Sequence, residues 1–429
     1  MGKPQGLRIL HSGDIYLGRP FPLLPAKSSE RRRAETMQTF KELLRYVEEQ
    51  RVHLVLLSGN LFDFDYVGYE TVSYVMREME RMSFAEFLIA PGTADQTEKQ
   101  SFYNVCHLPK NVHVFGAKAE FVHFPQYRVS VWGWGISPEQ AELCPMAKIP
   151  EYPKDHSLLV CGYAAPAGQG GSQVSPDEIA SSGAAYVGLS GGEGFFGFSQ
   201  LNDTVTAFSG HIESSSFADV GFGGANYLVL QREGEIEEII PEEEEKPDEL
   251  APAEQMTYFE DAEEKAEKEP QIAQEEQKPL VEFDIKEGKL IAERLLFGGR
   301  QYITEVIDIT PFSTVEEVEQ ALSTLIRDKG YGTETSLCII LKGHTTPEFM
   351  PPRLRDHTAH GLAELLSMDK TVPDKDENEY IKDMSIRGEL MRAMMPAILN
   401  GEEKSKENAI KALRIAFLAL LYPCLILTI

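Results

Sequence analysis

The sequence predicts a mixed α/β protein with two folded domains, an acidic linker between them and an apolar helical tail. Its 429 residues exceed the size at which one hydrophobic core usually stops growing. Short apolar runs alternate with amphipathic segments over residues 7–240, which is typical of an α/β domain. A strongly acidic stretch begins at residue 241. These observations predict domains at 1–240 and 280–400, a linker at 241–279 and a tail at 401–429.

The first predicted domain contains short strands separated by helices. Apolar residues spaced three and four apart predict two helices, one around Leu43 and one around Val75. Continuous apolar runs predict strands at 52–57, 84–90, 127–134, 157–161 and 185–189. Polar loops that contain glycine begin at residues 12, 58, 91 and 190. Because layered α/β folds build sites from loops at the carboxyl ends of strands, these loops are the candidate site.

The composition changes over residues 241–279, which hold 15 acidic residues against four lysines. Such a segment cannot bury enough apolar surface to fold alone, so it is predicted to be a solvated linker. Strands are expected over 280–309. Ser313 then begins a capping-box pattern before a helix that carries Val318 and Leu322 inward, and Gly330 predicts the end of that helix. A further strand at 337–341 completes a predicted α+β domain.

Charge and cysteine content restrict the function classes. The net charge of −27 disfavours tight nucleic-acid binding by the chain alone, because the phosphate backbone is repelled. The five cysteines form neither a CxxC pair nor an even framework, which fits a reducing cytoplasm. Residues 415–429 are apolar, but this run is shorter than the roughly 20 residues of a spanning helix and contains Pro423. We therefore expect a cytoplasmic protein without an export signal or membrane association.

Six segments of the chain follow the order and spacing of known motifs. They read RILHSGDIYLGRPF, VHLVLLSGNLFDFD, FLIAPGTADQ, SLLVCGYAA, AAYVGLSGGEG and AFSGHIESSSFADVGFGGANYLVL. In this order they resemble the calcineurin-like metallophosphoesterases, and most closely the SbcD nuclease subunit and its YhaO-type bacterial relatives. The resemblance covers residues 7–230 and continues more weakly beyond the linker. It implies a four-layer metallophosphoesterase β-sandwich flanked by helices, followed by a smaller α+β capping domain.

The family motifs imply two divalent metal ions, usually manganese, with a bridging carboxylate and a catalytic histidine. Such a centre needs hard oxygen and imidazole ligands. Of the seven ligand positions, only Asp14 keeps its residue type. Asn60 stands at the position of the bridging aspartate, and Ala94 at that of the catalytic histidine. The remaining ligand positions hold Tyr16, Thr93, Cys161, Gly191 and Glu193, and Asp95 is retained after Ala94.

The resemblance therefore implies a degenerate site. Asn60 cannot supply the bridging charge, and the Tyr16 phenol, with a pKa near 10, is a poor ligand at neutral pH. We expect no catalytic residue and no cofactor, with only weak metal candidates in Asp14, Asn60 and Glu193. The alternative is a metal-dependent phosphodiesterase or DNA exonuclease, with Mn²⁺ held around Asp14, Asn60, Asp95 and Glu193 or in a site completed by another subunit.

The resemblance also implies a protein partner that binds the C-terminal helices. Family members work with an SMC-type ATPase of the SbcC or YhaN kind, to which C-terminal helices anchor. This chain has an apolar stripe at helical spacing, formed by Ile410, Leu413, Phe417, Leu420 and Leu421. The stripe predicts either a docking surface or an intramolecular core. The resulting hypothesis is a scaffold subunit in DNA repair or genome maintenance that contacts DNA only through its complex, with a homodimer left open.

Other polar features are interpreted as structural. His11 is predicted to have a structural role beside the first strand. His211 is expected to be an exposed loop residue, with replacement of a lost ligand as the alternative. The arginines at 31–33 predict a solvated helix face, with phosphate contact as the alternative. The glycine-rich stretch at 183–197 has no Lys-Ser/Thr pair, so it is predicted to be a collapsed former ligand loop and not a P-loop.

Overall fold

The chain forms two compact units in a computed structural model. The first unit comprises residues 1–213 and 223–298, and the second comprises 214–222 and 299–429. The predicted linker at 241–279, Glu193 and the last eight residues lie outside the described part of the chain. The described residues are 6–21, 26–97, 101–136, 145–166, 173–191, 197–214, 217, 223–232, 280–286, 288–346, 349, 351–355, 357, 359–373, 382–401 and 403–421.

The first unit is a mixed α/β fold, which confirms the predicted class at that level. Its helices are α1 (Ala26–Gln50), α2 (Tyr69–Arg81), α3 (Phe102–Val105) and α4 (Pro176–Ser181). Its strands are β1 (Leu7–Ser12), β2 (Leu54–Ser58), β3 (Glu86–Ala90), β4 (Val112–Val114), β5 (Glu120–Phe124), β6 (Val129–Trp134), β7 (Ser157–Tyr163), β8 (Ala165–Pro166), β9 (Gln173–Val174), β10 (Tyr186–Ser190), β11 (Gly197–Leu201), β12 (Thr204–Phe208), β13 (Gly224–Arg232), β14 (Val281–Ile285) and β15 (Gly288–Leu296).

Most of these strands form two large sheets. One has seven strands in the order β14-β15-β13-β1-β2-β3-β4, and the other has six in the order β11-β12-β10-β7-β6-β5. Strands β1 to β4 run parallel to one another, as do β6, β7, β10 and β12. Parallel neighbours bring their carboxyl ends to the same sheet edge, so the loops that follow β1, β2 and β3 lie side by side.

Three apolar clusters show how the layers pack. The first joins α1 and α2 to the seven-stranded sheet, with Phe40 and Val75 against Val55. The second lies between the two sheets and includes Ile9 and Leu159. The third covers the other face of the six-stranded sheet and includes Val160 and Ile179. The first unit therefore stacks helices, sheet, sheet and short helices.

The predicted start of the second domain at residue 280 is wrong, because strands β14 and β15 belong to the first unit. β15 pairs antiparallel with β13 along nine residues, from Gly224 opposite Leu296 to Arg232 opposite Gly288, and β14 pairs with β15. Both strands therefore extend the first sheet. Their apolar residues alternate, and this pattern identifies a half-buried strand without identifying the sheet to which it belongs.

The second unit is a smaller α/β assembly. Its elements are β16 (Gln301–Asp308), α5 (Val315–Lys329), β17 (Thr335–Lys342), β18 (His344–Thr345), β19 (Glu364–Asp369), β20 (Val372–Pro373), α6 (Ile386–Asn400) and α7 (Glu403–Leu421). Strands β16, β17 and β19 form a parallel sheet in that order. The capping box of α5 uses Thr314 and Glu317, one residue later than predicted, and Gly330 ends the helix at φ 70° as predicted.

The C-terminal helix belongs to the core of the second unit. Ile410 and Leu413 of α7 are buried in one apolar cluster with Met391 and Ile398 of α6. The prediction of a separate tail at 401–429 is therefore wrong for the part that forms α7, because α7 packs against α6. Among the helices that the structure describes, none is both long and apolar enough to cross a membrane. Three side chains of the predicted apolar stripe lie outside the described part of α7, namely those of Phe417, Leu420 and Leu421.

Candidate functional site

The loops after β1, β2 and β3 bring most of the predicted site residues together. Backbone hydrogen bonds join these loops, from Asp14 N to Gly59 O at 2.9 Å and from Tyr16 N to Asn60 O at 2.7 Å. The second sheet reaches the same place, since Gly191 N donates to Asp14 Oδ2 at 3.1 Å. We call the group formed by Asp14, Tyr16, Asn60, Asp95, Tyr163 and Gly191 the strand-end site.

Asn60 is the centre of the strand-end site and is completely buried. Its Nδ2 donates to Asp14 Oδ1 at 2.6 Å and to the hydroxyl oxygen of Tyr16 at 2.8 Å. Its Oδ1 accepts from the backbone N–H of Ala94 at 2.8 Å. Both amide hydrogens are thus used, and the amide presents positive hydrogen atoms to the Asp14 carboxylate. Asn60 therefore stabilises the Asp14 carboxylate by hydrogen bonding.

Tyr16 packs against Arg19 at the edge of the site. Its ring lies beneath the Arg19 guanidinium, 3.6 Å from carbon to ring centroid, which is a cation–π distance. Burial and the nearby Asp14 charge raise the pKa of Tyr16 far above its ordinary value. The hydroxyl therefore stays protonated at neutral pH, and Tyr16 acts as a hydrogen-bonding and packing group.

Asp95 is a structural hub of the loops. Its Oδ1 accepts from Gly92 N at 2.7 Å and Asn60 N at 3.1 Å. Its Oδ2 accepts from Leu61 N at 2.9 Å and from the Tyr103 hydroxyl at 2.8 Å. Burial raises the pKa of Asp95 to about 6, and these hydrogen bonds act against that shift. Since both oxygens are occupied by protein donors, Asp95 holds two loops in place.

Tyr163 joins the site although the sequence patterns did not point to it. Strand β7 continues two residues beyond Cys161 and ends at Tyr163, whose ring lies against Gly59 and Gly191. Its ring covers Gly59, where an added Cβ would come within 2.2 Å of Tyr163 Cδ2. Only glycine fits that position, since its φ is also 89°. The aromatic residue directly after Gly162 was the signal that could have identified it.

Cys161 does not belong to the strand-end site. It is completely buried in the apolar cluster between the sheets, and its Sγ donates to Leu88 O at 3.8 Å. Burial raises the pKa of the Cys161 thiol well above its usual range, which disfavours the thiolate that metals bind. The structure therefore places this predicted site residue in the core, apart from the other predicted site residues.

Three residues of the strand-end site hold the left-handed backbone conformation. The φ angles are 49° at Asp14, 54° at Tyr16 and 50° at Asn60. Asparagine tolerates this conformation, whereas for a bulky residue such as Tyr16 it costs roughly 1–2 kcal/mol. Such strain persists only where surrounding structure fixes the backbone, as the hydrogen bonds between these loops do. The shape of the site is therefore imposed by the fold.

His211 borders the strand-end site and is only partly exposed. Its Nδ1 lies 3.4 Å from Asp14 O, and its ring centroid lies 6.2 Å from that of Tyr16. The expectation of a simple exposed loop histidine is thus wrong. Its imidazole is the one histidine side chain that the structure places beside Asp14 among the described residues.

His11 lies beneath the site in a buried polar network, as predicted for a structural residue. Its Nδ1 and Nε2 lie 2.7 Å from the Tyr186 hydroxyl and from Ser58 Oγ. Burial, with the Arg294 charge as a second cause, lowers the pKa of His11 to about 3. The histidine is therefore neutral, and it links the two sheets through hydrogen bonds.

Arg32 contradicts the prediction of a solvated helix face. Its guanidinium is almost completely buried and lies 2.8 Å from Glu213 Oε1, and Thr39 Oγ1 donates to Glu213 Oε2 at 2.8 Å. Arg31 is exposed, as expected. The ion pair fastens α1 to the loop after β12, so the basic cluster contributes one structural anchor.

The donor set of the strand-end site does not fit the two manganese ions that the resemblance implies. Its two described carboxylates are Asp14 and Asp95, and the oxygens of both accept hydrogen bonds from protein groups. Where a bridging carboxylate is needed, Asn60 presents N–H groups that repel a cation. Across the described part of the chain, no three His, Cys, Asp or Glu side chains are placed to hold a metal ion.

Comparison with known proteins adds no family assignment. No protein-family model matches this chain, and no curated protein matches it significantly. The ordered motifs and the geometry of the strand-end site therefore remain the basis for a functional assignment.

Proposed function

We propose that this protein is a catalytically degenerate subunit of the SbcD/YhaO type within the calcineurin-like metallophosphoesterases. It acts as a scaffold with an SbcC/YhaN-like SMC-type ATPase in DNA repair or genome maintenance. The mixed α/β fold, with two facing sheets and helices outside them, supports this assignment, because the motifs imply a layered fold of this kind. The strand-end site also lies at the loops where that family would hold its metals.

One observation carries the non-enzymatic part of the proposal. Asn60 occupies the position of the bridging carboxylate and donates to Asp14 at 2.6 Å and to Tyr16 at 2.8 Å. The amide thus donates a hydrogen bond to an Asp14 oxygen that a metal ion would otherwise bind. Asp95 cannot compensate, since its oxygens accept hydrogen bonds from Gly92, Asn60, Leu61 and Tyr103.

The electrostatics favour an indirect role at DNA. The chain carries a net charge of −27, and a molecule with that charge is repelled by a phosphate backbone. A basic partner would be needed to hold the complex on DNA. The proposal therefore assigns DNA contact to the ATPase complex and gives the present chain an organising role.

The metal content of the purified protein tests the degenerate site. After dialysis against Mn²⁺ and then buffer, elemental analysis should give well below one ion per chain. A result near two ions would overturn the proposal and support the alternative, a divergent metal-dependent phosphodiesterase.

Nuclease assays on linear duplex and single-stranded DNA give a second test. We expect background rates with Mn²⁺ or Mg²⁺, since the absence of a general acid at Ala94 alone lowers the rate by ~10²–10⁴-fold. Asp203→Ala is the matched control, because Asp203 lies in an exposed turn away from the site. Activity lost in Asp14→Ala but retained in Asp203→Ala would contradict a non-enzymatic role.

Co-expression with a candidate SMC-type ATPase tests the scaffold role. The expected result is one complex that elutes as a single species in size-exclusion chromatography. Ile415 of α7 is 56% exposed, unlike the buried Leu413, so Ile415→Glu should weaken the complex without unfolding the helix. Lys404→Glu on the same helix is the control. Separate elution of the two wild-type proteins would contradict the scaffold proposal.

A further inference from the structure

The second unit contains a cavity at the carboxyl ends of its parallel strands. The cavity measures about 430 Å³ and is bordered by Lys342, the last residue of β17, and by Asp369, the last residue of β19. Helix α7 closes another side with Lys406 and Lys411. Open α/β sheets bind their ligands in crevices outside the carboxyl ends of the strands, which is where this cavity lies.

The cavity is basic although the protein is strongly acidic. Four lysines line it, namely Lys342, Lys370, Lys406 and Lys411, and His344 lies beside them. Within the described residues, Lys342, Lys406 and Lys411 form no ion pair. This concentration of cationic side chains contrasts with the net charge of −27. Lysines around one cavity repel each other, and an anion between them removes that repulsion.

Asp369, the one carboxylate among the described lining residues, does not neutralise Lys342, Lys406 or Lys411. Asp369 Oδ1 accepts from Thr371 N at 3.0 Å and from Thr371 Oγ1 at 2.6 Å, and Oδ2 pairs with Arg414. Arg414 is buried and also donates to Thr345 Oγ1 at 3.2 Å. Both oxygens of Asp369 are thereby occupied. Its charge is balanced by Arg414, and the charges of Lys342, Lys406 and Lys411 remain available to a ligand.

A fixed turn holds Lys342 and His344 at the cavity. Gly343 between them has a φ of 109°, and an added Cβ would lie 2.3 Å from both Asp308 Oδ1 and Thr310 Oγ1. The backbone N–H of His344 donates to Thr310 Oγ1 at 3.0 Å. The turn is therefore held before any ligand binds, which lowers the entropy lost on binding.

We propose that this cavity binds a small organic molecule that carries two or more phosphate groups. The volume of about 430 Å³ lies within the usual range of small-molecule sites, and it is too small for a nucleic-acid duplex. The lysines contact the phosphates, because an ammonium group binds phosphate as a strong hydrogen-bond donor. Ile340, Val372 and Ile410 give the organic part an apolar wall. This proposal goes beyond the scaffold function and does not depend on it.

Calorimetric titration of the full chain tests the proposal, with inorganic tripolyphosphate and ATP as probes at ~50 mM salt. We expect both probes to bind and the affinity to fall when salt is raised, because exposed charges are screened. Lys406→Ala and Lys411→Ala should each weaken binding by about tenfold, the effect of losing one charged hydrogen bond. Lys404→Ala is the matched control, since Lys404 lies on the same helix outside the cavity lining.

The outcomes separate this site from general electrostatic attraction. All three lysines are at least partly exposed, so their replacement leaves the fold intact, and unchanged melting temperatures verify this. Retained binding in Lys404→Ala with weakened binding in the other two variants supports the proposal. Equal losses in all three variants, or no binding of either probe, would overturn it. Binding of a single-stranded oligonucleotide without binding of tripolyphosphate or ATP would overturn it as well.

Discussion

Replacing Asn60 by aspartate shows whether the amide is what stabilises the Asp14 carboxylate. In Asn60→Asp an oxygen replaces Nδ2, which lies 2.6 Å from Asp14 Oδ1. Two carboxylates at that separation repel by about 6 kcal/mol at an effective dielectric constant of ~20. Binding one proton removes the repulsion, and at pH 7 it costs about 4 kcal/mol for a carboxyl of ordinary pKa. Burial already raises the pKa of Asp14, which lowers this cost, so we expect a loss smaller than that.

The expected loss depends on pH with a definite sign. The carboxylate pair of the variant holds a proton that the unfolded chain releases, so its folded-state pKa is raised. Its stability relative to the parent protein therefore improves by about 1.4 kcal/mol for each pH unit lowered from pH 7 towards pH 5. Urea unfolding in EDTA measures this difference. Both tryptophans, Trp132 and Trp134, lie in β6, so their fluorescence reports on the first unit alone.

A matched variant separates the effect of placing a charge beside Asp14 from the general effect of changing asparagine to aspartate. Asn202→Asp makes the same change at an exposed residue that also has a positive φ, of 54°. It should alter stability by less than about 0.5 kcal/mol. The stabilising role of Asn60 is refuted if Asn60→Asp matches the parent protein at pH 7, or if its deficit does not shrink on acidification. Full recovery with two bound Mn²⁺ ions would likewise show that the loops retain a metal centre.

Three further substitutions test the buried polar and apolar contacts. His11→Gln removes a histidine whose pKa is lowered by burial to about 3. The unfolded histidine gains its proton near pH 6.5, so acidification destabilises the parent protein more than the variant. Between pH 7 and pH 5, the free energy of unfolding of the parent should fall by about 2 kcal/mol more than that of the variant, as measured by urea unfolding. Arg32→Met leaves a buried carboxylate unpaired and should cost about 3–5 kcal/mol by the same assay, against below about 0.5 kcal/mol for exposed Arg31→Ala. Leu413→Ala should cost about 2–5 kcal/mol in calorimetric unfolding, and exposed Ile415→Ala far less.

Each of these predictions has a contradicting result. Parallel pH profiles for His11→Gln and the parent protein would show that this histidine titrates normally. Equal effects of Arg32→Met and Arg31→Ala would show that the buried ion pair does not anchor α1. Equal effects of the Leu413 and Ile415 replacements would show that α7 does not pack through Leu413.

Much of the first unit follows from local sequence patterns. The predicted strands at 52–57 and 185–189 agree with β2 and β10 within two residues, because apolar runs bounded by glycine loops identify buried parallel strands. Parallel topology then gathers the loop residues, and this is why the motif spacing suffices to place Asp14, Tyr16 and Asn60 together. The arrangement at the ends of the strands was therefore predictable.

The residues that were missed depend on distant partners. Tyr163 enters the site because the pairing of β7 with β10 continues to Ser190 opposite Tyr163, two residues beyond the predicted apolar run at 157–161. Arg32 is buried because Glu213, far along the chain, supplies its counter-charge. A local pattern reports the burial of a side chain on its own element, whereas these contacts are decided by tertiary pairing.

The pairing of β15 with β13 affects how the protein can be divided. A fragment that ends at residue 240 would keep β13 but lose β15, leaving a nine-residue strand with unpaired N–H and C=O groups on one side. Exposed edge strands of this length recruit strands from other chains and aggregate. Residues 1–240 are therefore not an independent folding module, and biochemical dissection of the first unit has to retain the chain through residue 298.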